Sequence, residues 1–310
     1  AALRDAGVRS MMTRLHTGAL ACLLVASAAS HEPAPVQQPP VFRSTVEGVS
    51  VSVSVREGEK SVAGLNAADF ELLDNGVAQT ISAISVETQP IDVTLLLDLS
   101  RSVVGRRLER LKYGVLEMAG LLRKEDRLRL FSVQHEIRLV FPFQPGGTKP
   151  DVESLTAFGG TALFDGLAAA MMRPTEPDRR QFIVAYTDGI DTISFLDLDT
   201  VRDIAGMTDA VVQILVPTTF DGRGRPQGSI PQAARINDLA ARTGGQIYWV
   251  DFAAPVGAAF KQAVSDFRTS YVLRYVPTGV RPDGWHELIV RVKKGSYEVR
   301  ARKGYSGTLP

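Results

Sequence analysis

Residues 91–102 read IDVTLLLDLSRS, and this stretch decides the fold. Its centre, Val93 to Leu97, is a nearly continuous apolar run, which is typical of a strand buried on both faces. A helical pattern follows from about Val104 to Arg123. A buried strand that leads into a long helix is typical of a parallel strand–helix–strand unit.

The alternation of strand and helix continues as far as Phe267. The further predicted strands are 128–133, 137–141, 182–186, 211–216 and 247–250, and the further predicted helices are 161–172, 198–207, 232–243 and 256–267. This order predicts an α/β domain over residues 91–270. Its sheet should be Rossmann-like, doubly wound and mostly parallel, with helices on both faces.

Both flanks of this domain have β patterns. Residues 49–55 alternate valine with serine, and residues 70–73 lead to a tight turn at Asn75-Gly76. Residues 81–86 are expected to return as the partner strand of 70–73.

The alternation resumes from Tyr271, around turns at Asp283-Gly284 and 294–296. Neither flank is long enough to be stable alone. We therefore predict that residues 41–90 and 271–310 pair into one small β-sandwich, with the α/β domain inserted between its halves.

Three loops carry oxygen side chains. The first follows the strand of residues 93–97 and holds Asp98, Ser100 and Ser102, the second holds Thr161 within Gly-Gly-Thr-Ala-Leu, and the third holds Asp188 within Thr-Asp-Gly. Each loop taken singly is also explained by ordinary turn or helix-cap chemistry.

Taken together, the three loops predict a metal site. In a doubly wound sheet, ligands bind at the carboxyl ends of the strands where the strand order reverses. If the strands before Asp98 and Asp188 are neighbours there, two carboxylates and three hydroxyls converge. This all-oxygen set suits Mg²⁺, with Mn²⁺ or Ca²⁺ as alternatives. The neutral hydroxyls leave the metal electrophilic, so that an open position can take a carboxylate from a partner protein.

These residues resemble a known motif. Asp98-x-Ser100-x-Ser102, Thr161 and Asp188 match, in order, the metal-ion-dependent adhesion site (MIDAS) of von Willebrand factor A (VWFA) domains. The resemblance implies a Rossmann-like sheet, a divalent metal and protein binding, hence adhesion rather than catalysis. Arg101 departs from the motif, because a small residue is common there.

The flanks extend the resemblance. Residues 64–76, with Asp69-Phe70-Glu71-Leu72 and Asp74-Asn75-Gly76, and residues 271–305 are similar to the bacterial VWFA-related family of acidobacterial type. That family consists of exported proteins that place the same domain between β segments.

Several other side chains are weaker candidates. Asp165 and Asp191 could orient metal ligands through water, or could simply cap a helix and a turn. Four arginines could steer an acidic partner, or could belong to an ordinary solvated surface. They are Arg101, Arg106, Arg223 and Arg225. His135 and His286 are expected to be surface or strand residues.

The N-terminal 30 residues have the pattern of a signal peptide. Arg9 and Arg14 precede a short apolar run at 18–26, and Ala26-Ser27-Ala28 offers a cleavage site. The run is too short to span a bilayer, which needs about 20 residues. We expect export to the periplasm or the extracellular space, with upstream read-through before Met11 or Met12 and a Pro-rich linker at 31–40.

Composition narrows the function classes. The chain has 35 Lys and Arg residues and 34 Asp and Glu residues, a net charge of +1. Because nucleic-acid binding usually requires an excess of positive charge, this balance gives no reason to expect nucleic acid as a partner. The chain has 4 histidines and 1 cysteine, Cys22, which argues against a zinc enzyme. No segment after the signal is expected to span a membrane.

Three functions are compatible with these residues. A metal-dependent binding module that takes an acidic group of a protein partner is the prediction. A metal-assisted hydrolase is the second reading, but no phosphate-binding loop, nucleophile elbow or zinc-protease motif occurs, so no enzyme is expected. In the third reading the metal only ties the loops together.

Overall fold

The structure, a computed structural model, describes residues 48–307 except for 59, 87–88, 173–175, 177 and 228–229. The predicted signal peptide (1–30) and linker (31–40) lie outside the described residues. Within the described part of the chain, no helix is long and apolar enough to cross a membrane.

The described residues before the α/β domain form five strands. They are β1 (Val49–Glu57), β2 (Lys60–Ser61), β3 (Phe70–Asp74), β4 (Val77–Ala78) and β5 (Ile81–Val86). The predicted turn is present, since Asn75 and Gly76 have φ values of 47° and 79° and join β3 to β4. Asparagine and glycine are the residues that tolerate these angles best.

The α/β domain begins at Ile91, the first residue of β6. Its strands are β6 (Ile91–Asp98), β7 (Arg127–Val133), β8 (Ile137–Pro145), β9 (Arg180–Tyr186), β10 (Val211–Phe220), β11 (Pro226–Gln227) and β12 (Ile247–Asp251). Its helices are α1 (Arg106–Leu121), α2 (Leu163–Met171), α3 (Leu198–Met207), α4 (Ile230–Arg242) and α5 (Val256–Arg268).

The central sheet has the spatial order β8-β7-β6-β9-β10-β12, and β11 adds a short antiparallel pair to the end of β10. Within the order of six strands, neighbouring strands are parallel except for β7 and β8, which are antiparallel. Counted within the domain, this is the 3-2-1-4-5-6 order of a doubly wound fold. The predicted fold class is confirmed, and the order reverses between β6 and β9.

Helices cover both faces of the sheet. Val93, Leu95 and Leu97 of β6 pack into one core with α1 and α5, whereas Leu96 packs into a second core with α2, α3 and α4. Successive residues of a strand point to opposite faces, so an apolar run is needed to serve both cores. This explains why residues 93–97 show no polar alternation.

The segment after α5 supplies the remaining strands: β13 (Tyr271–Tyr275), β14 (Gly284–Val292), β15 (Glu298–Ala301) and β16 (Gly304–Gly307). They join the first segment in two antiparallel sheets, with orders β15-β1-β13-β5 and β16-β14-β3-β4. Valines of β1, Leu72 of β3 and tyrosines of β13 share the core between these sheets. The predicted sandwich of two chain segments is therefore present.

One predicted pairing is wrong. Residues 81–86 were expected to pair with 70–73, but β5 pairs with β13, and β3 pairs with β4 and β14. The hairpin after Asn75-Gly76 pairs only Leu73 with Ala78 and Asp74 with Val77. Beyond it the chain crosses to the other sheet, so β5 covers a different edge of the sandwich.

Candidate metal centre

The two central carboxylates follow neighbouring strands. Asp98 is the last residue of β6, and Asp188 lies two residues beyond the end of β9. These strands are paired, with Leu97 opposite Tyr186, and the strand order reverses between them. Both carboxylates therefore lie at the edge of the sheet where doubly wound folds bind ligands.

Asp98 is the buried centre of the site, with 2% of its surface exposed. One carboxylate oxygen, Oδ1, accepts hydrogen bonds from the Ser100 amide at 3.1 Å and the Thr161 hydroxyl at 3.3 Å. The other oxygen, Oδ2, accepts one from the Thr187 hydroxyl at 2.9 Å. Asp98 thus joins all three loops that the sequence singles out.

The two serines bring hydroxyls together on the first loop. Ser100 Oγ and Ser102 Oγ are 3.0 Å apart, with Ser100 buried and Ser102 exposed. A short 3-10 turn at Arg101–Val103 produces this arrangement. The oxygen pair therefore runs from the buried Asp98 towards solvent.

Thr161 is held by the loop that follows Asp188. The Thr161 amide donates to Thr192 Oγ1 at 2.8 Å, and the Thr192 amide donates to the Thr161 carbonyl at 2.9 Å. A Cβ atom on Gly160 would lie 2.8 Å from Thr192 Oγ1, so the approach of these loops requires glycine there. The second glycine of the Gly-Gly-Thr motif thus has a packing reason.

Asp188 is half-buried, and its Oδ1 accepts a hydrogen bond from the Ile190 amide at 3.0 Å. Burial, and then the nearby Asp188 carboxylate, raise the pKa of Asp98 to about 6. Among the described residues neither carboxylate has an ion-pair partner. A bound cation would relieve the repulsion between them.

The donor set fits a hard divalent cation. Two carboxylates and three hydroxyls come from Asp98, Ser100, Ser102, Thr161 and Asp188. In the parts of the chain that the structure describes, no three His, Cys, Asp or Glu side chains form a cluster, so the hydroxyls are essential to the set. Oxygen-only ligands with few charges are suited to Mg²⁺, which usually retains several waters.

Asp165 and Asp191 connect loops through backbone amides. Asp191 Oδ1 accepts from the Leu163 amide at 2.8 Å, which caps the first turn of α2. Asp165 accepts from the Phe195 and Leu196 amides at 3.0 and 2.9 Å. These are the capping and turn roles that the sequence left open. Among the described residues, no direct hydrogen bond joins the Asp165 or Asp191 side chain to the side chain of any of the five candidate metal ligands.

The four predicted arginines lie on two different parts of the chain. Arg101 and Arg106 are exposed beside the site, on the first loop and at the start of α1. Arg223 and Arg225 are exposed on the turn between β10 and β11, where Arg225 forms an ion pair with Asp221 at 2.9 Å. Only the first pair adjoins the candidate ligands along the chain.

Arg107 and Thr187 contact the candidate ligands but are not among the residues predicted from the sequence. Arg107 Nη1 donates to the Ser102 carbonyl at 2.9 Å, and its guanidinium lies 4.1 Å from the centre of the Phe252 ring. A helical period offered a signal, since Arg107 precedes the buried Leu111 and Val115 at spacings of four. Thr187 offered another, as the first polar residue after a buried strand.

Parts of the chain resemble known proteins. No family model matches it. An uncharacterised protein of Synechocystis sp. is 31% identical over 106 residues, which make up 32% of this chain and 25% of that protein. The chain thus matches about a quarter of the length of this curated relative.

Solved structures share the architecture at low identity. A von Willebrand factor type A structure from Catenulispora acidiphila has a TM-score of 0.49 and 12% identity, over 86% of this chain and 74% of that one. The ArnB paralog VWA2 from Sulfolobus acidocaldarius has a TM-score of 0.48 and 11% identity, over 82% and 75%. The observed strand order, rather than these scores, shows that this chain has a doubly wound α/β fold.

Proposed function

We propose that this VWFA-type module binds a divalent metal, preferentially Mg²⁺, and through it an acidic group of a protein partner. One observation supports this most strongly. The hydroxyls of Thr161 and Thr187, from two distant loops, both donate to Asp98 at the reversal of strand order. The nearby carboxylates of Asp98 and Asp188 have no ion-pair partner among the described residues.

The candidate ligands would leave a bound metal able to coordinate a further anionic group. Asp98 and Asp188 would supply two negative charges, and Ser100, Ser102 and Thr161 would supply neutral oxygens. When bound, the metal provides a positive charge at which an external carboxylate can complete the coordination. The chain's own part is to hold these oxygens in place, which the hydrogen bonds between the loops do.

The surroundings suit an acidic protein surface. Ser102 is exposed to solvent at the outer end of the site. The exposed Arg101 precedes it on the same loop, and the exposed Arg106 is the first residue of helix α1. Positive side chains at the rim of an interface increase the rate of encounter with an acidic partner. We assign the site to binding rather than to catalysis, and to proteins rather than to nucleic acid.

Metal binding is tested by calorimetric titration of Mg²⁺ into the chelator-treated protein. Wild type should bind one equivalent, Asp98→Ala should bind none, and Asp203→Ala, which removes an exposed acid on α3, should match wild type. Equal binding by all three proteins would reject the assignment. Mg²⁺ binding with no affinity for any carboxylate would favour the reading in which the metal only ties the loops together.

Export is a separate part of the proposal and is supported by the signal pattern in residues 1–30. Fusing residues 1–40 to a phosphatase that needs disulfides should give an active enzyme, because such enzymes mature only outside the reducing cytoplasm. Leu24→Arg, which places a charge in the apolar run, should abolish that activity. An active Leu24→Arg fusion would contradict the export signal.

A further inference from the structure

A small cavity of about 140 Å³ opens beside the candidate metal centre. Asp98, Ser102, Thr187 and Asp188 form one side of it, so the proposed metal ligands and the cavity share a wall. It lies at the carboxyl ends of β6, β9 and β10, where the strand order reverses. A group bound at the metal would therefore be next to the cavity.

The other walls combine apolar surface with the polar side chains of Thr218, Thr219 and Gln227. Val103, Tyr186 and Pro217 are buried around it, and Phe252 closes one side. The Arg107 guanidinium stacks on the Phe252 ring at 4.1 Å and is fixed by its hydrogen bond to the Ser102 carbonyl. A stacked guanidinium offers a flat face to an apolar group and a positive charge to an acid.

The volume suits one side chain rather than a whole small molecule. Pockets for drug-sized ligands occupy about 300–1,000 Å³. A cavity of about 150 Å³ with apolar walls is large enough to bind benzene. The space beside the metal centre therefore matches a phenyl ring or a branched aliphatic side chain.

We infer that the partner motif is an acidic residue with a large apolar side chain beside it, the acid on the metal and the apolar group in this cavity. The inference rests on the proposed metal-dependent function, because the metal fixes where the acid lies. Arg107 acts as a positioning residue, since it forms one wall of the cavity and places a positive charge beside the acid.

The smallest probes that carry this motif are simple acids. 3-Phenylpropionate joins a carboxylate to a ring, propionate lacks the ring, and 3-phenylpropanamide lacks the charge. Each would be titrated into the full chain with saturating Mg²⁺ and followed by protein NMR shifts. We expect 3-phenylpropionate to bind about tenfold more tightly than either of the others, as the burial of a ring allows.

Two neighbouring positions on β10 give a matched pair of variants. Thr219 lines the cavity, whereas the next residue, Phe220, is not among the residues that line it. Thr219→Trp should fill the space and reduce 3-phenylpropionate to the affinity of propionate, with Mg²⁺ affinity unchanged. Phe220→Trp should keep the preference for the ring.

The results separate the two proposals. Equal affinity of 3-phenylpropionate and propionate, no detectable binding of either acid, or a ring preference that survives Thr219→Trp would overturn the cavity assignment while Mg²⁺ binding still stood. Ring-dependent binding that is the same without Mg²⁺ and in Asp98→Ala would instead overturn the metal-dependent function on which the inference rests.

Discussion

At the scale of single residues, the centre combines two carboxylates without a positive partner of their own in the described structure. Asp98 is buried and accepts three hydrogen bonds, and the repulsion from Asp188 adds to the effect of burial on its pKa. Such an arrangement costs stability in the absence of a cation. Binding sites commonly show this conflict between stability and function.

Asp188→Asn should therefore stabilise the metal-free protein by about 1 kcal/mol, because it removes the repulsion from Asp98. The same change should abolish Mg²⁺ binding. Urea denaturation in chelator measures the first effect and calorimetry the second. Asp203→Asn, an exposed change on α3, should alter stability by less than about 0.5 kcal/mol. A clear loss of stability in Asp188→Asn would contradict the account.

The places of the five candidate ligands in the fold were predictable because each follows a strand or precedes a helix at a recognisable boundary, whereas their role as metal ligands stays a prediction. The role of Thr161 was not settled by the sequence, since a threonine before a helix is also a common cap. In the structure its hydroxyl bonds to Asp98, while Asp191 caps α2. A contact across 63 residues leaves no local signal that could distinguish the two roles.

At the scale of secondary-structure elements, α2 depends on a carboxylate from another loop. Its first residue, Leu163, donates to Asp191, and Asp165 in turn binds the amides of Phe195 and Leu196. These reciprocal bonds hold the loop of Thr161 against the loop of Asp188. The geometry of the metal centre therefore depends on how this helix begins.

Asp191→Ala should cost about 1–2 kcal/mol of stability, as the loss of a helix cap does, and should also weaken Mg²⁺ binding. Asp197→Ala is the matched control, because Asp197 caps α3 by accepting from the Thr200 amide at 2.8 Å. It should destabilise to a similar extent and leave Mg²⁺ affinity unchanged. Equal effects of both variants on Mg²⁺ affinity would contradict the positioning role of Asp191.

Most elements of the α/β domain were predictable, because its helices show an apolar period and its central strands are continuous apolar runs, whereas the two-residue strand β11 was not predicted. Helix α3 was expected at 198–207 and is observed there, and strand β6 extends only a few residues beyond the predicted run. The partner of β5 was not predictable in this way. The isoleucines and valine in 81–86 indicate a strand but do not say which of the two sheets it joins.

At the scale of the whole molecule, the sandwich joins chain segments almost 200 residues apart or more. Asp74 on β3 is fully buried and accepts from the hydroxyls of Tyr275 at 2.8 Å and Tyr305 at 3.0 Å. His286 Nδ1 lies 2.8 Å from the same carboxylate. His286 is thus a strand residue, as expected, but it is buried rather than exposed.

Asp74→Ala should destabilise the protein by about 2–5 kcal/mol, because it removes the partner of the buried Tyr275 and His286 side chains and of the half-buried Tyr305 hydroxyl. Glu71→Ala on the same strand removes only a partly exposed acid and should cost about 0.5 kcal/mol or less. Thermal unfolding of both variants measures the difference. Similar melting temperatures would contradict the view that this cluster closes the sandwich.

The stability of the protein is expected to depend on pH through Asp92, which lies at the opposite end of β6 from Asp98. Burial raises the pKa of Asp92, but hydrogen bonds and ion pairs with Arg127 and Arg179 outweigh burial and hold that pKa below its usual value. A depressed pKa in the folded state means that the pairing stabilises the protein above the unfolded pKa of about 3.9 and is lost as pH falls through the lower folded value.

Asp92→Asn should therefore cost about 3 kcal/mol at pH 7, and the difference from wild type should shrink below about pH 4. Urea denaturation of both proteins at a series of pH values provides the measurement. A difference that stays constant down to pH 3 would show that the charge of Asp92 is not responsible.

We propose above all that five oxygen-bearing side chains bind one divalent cation where the strand order of the sheet reverses. Crystals grown with Mn²⁺ test it most directly, because the anomalous signal locates the ion itself. We expect one strong peak within about 2.5 Å of oxygens of Ser100, Ser102, Thr161 and the two aspartates, with the remaining coordination positions filled by water. No peak there at saturating Mn²⁺, or a peak only elsewhere on the protein, would contradict it.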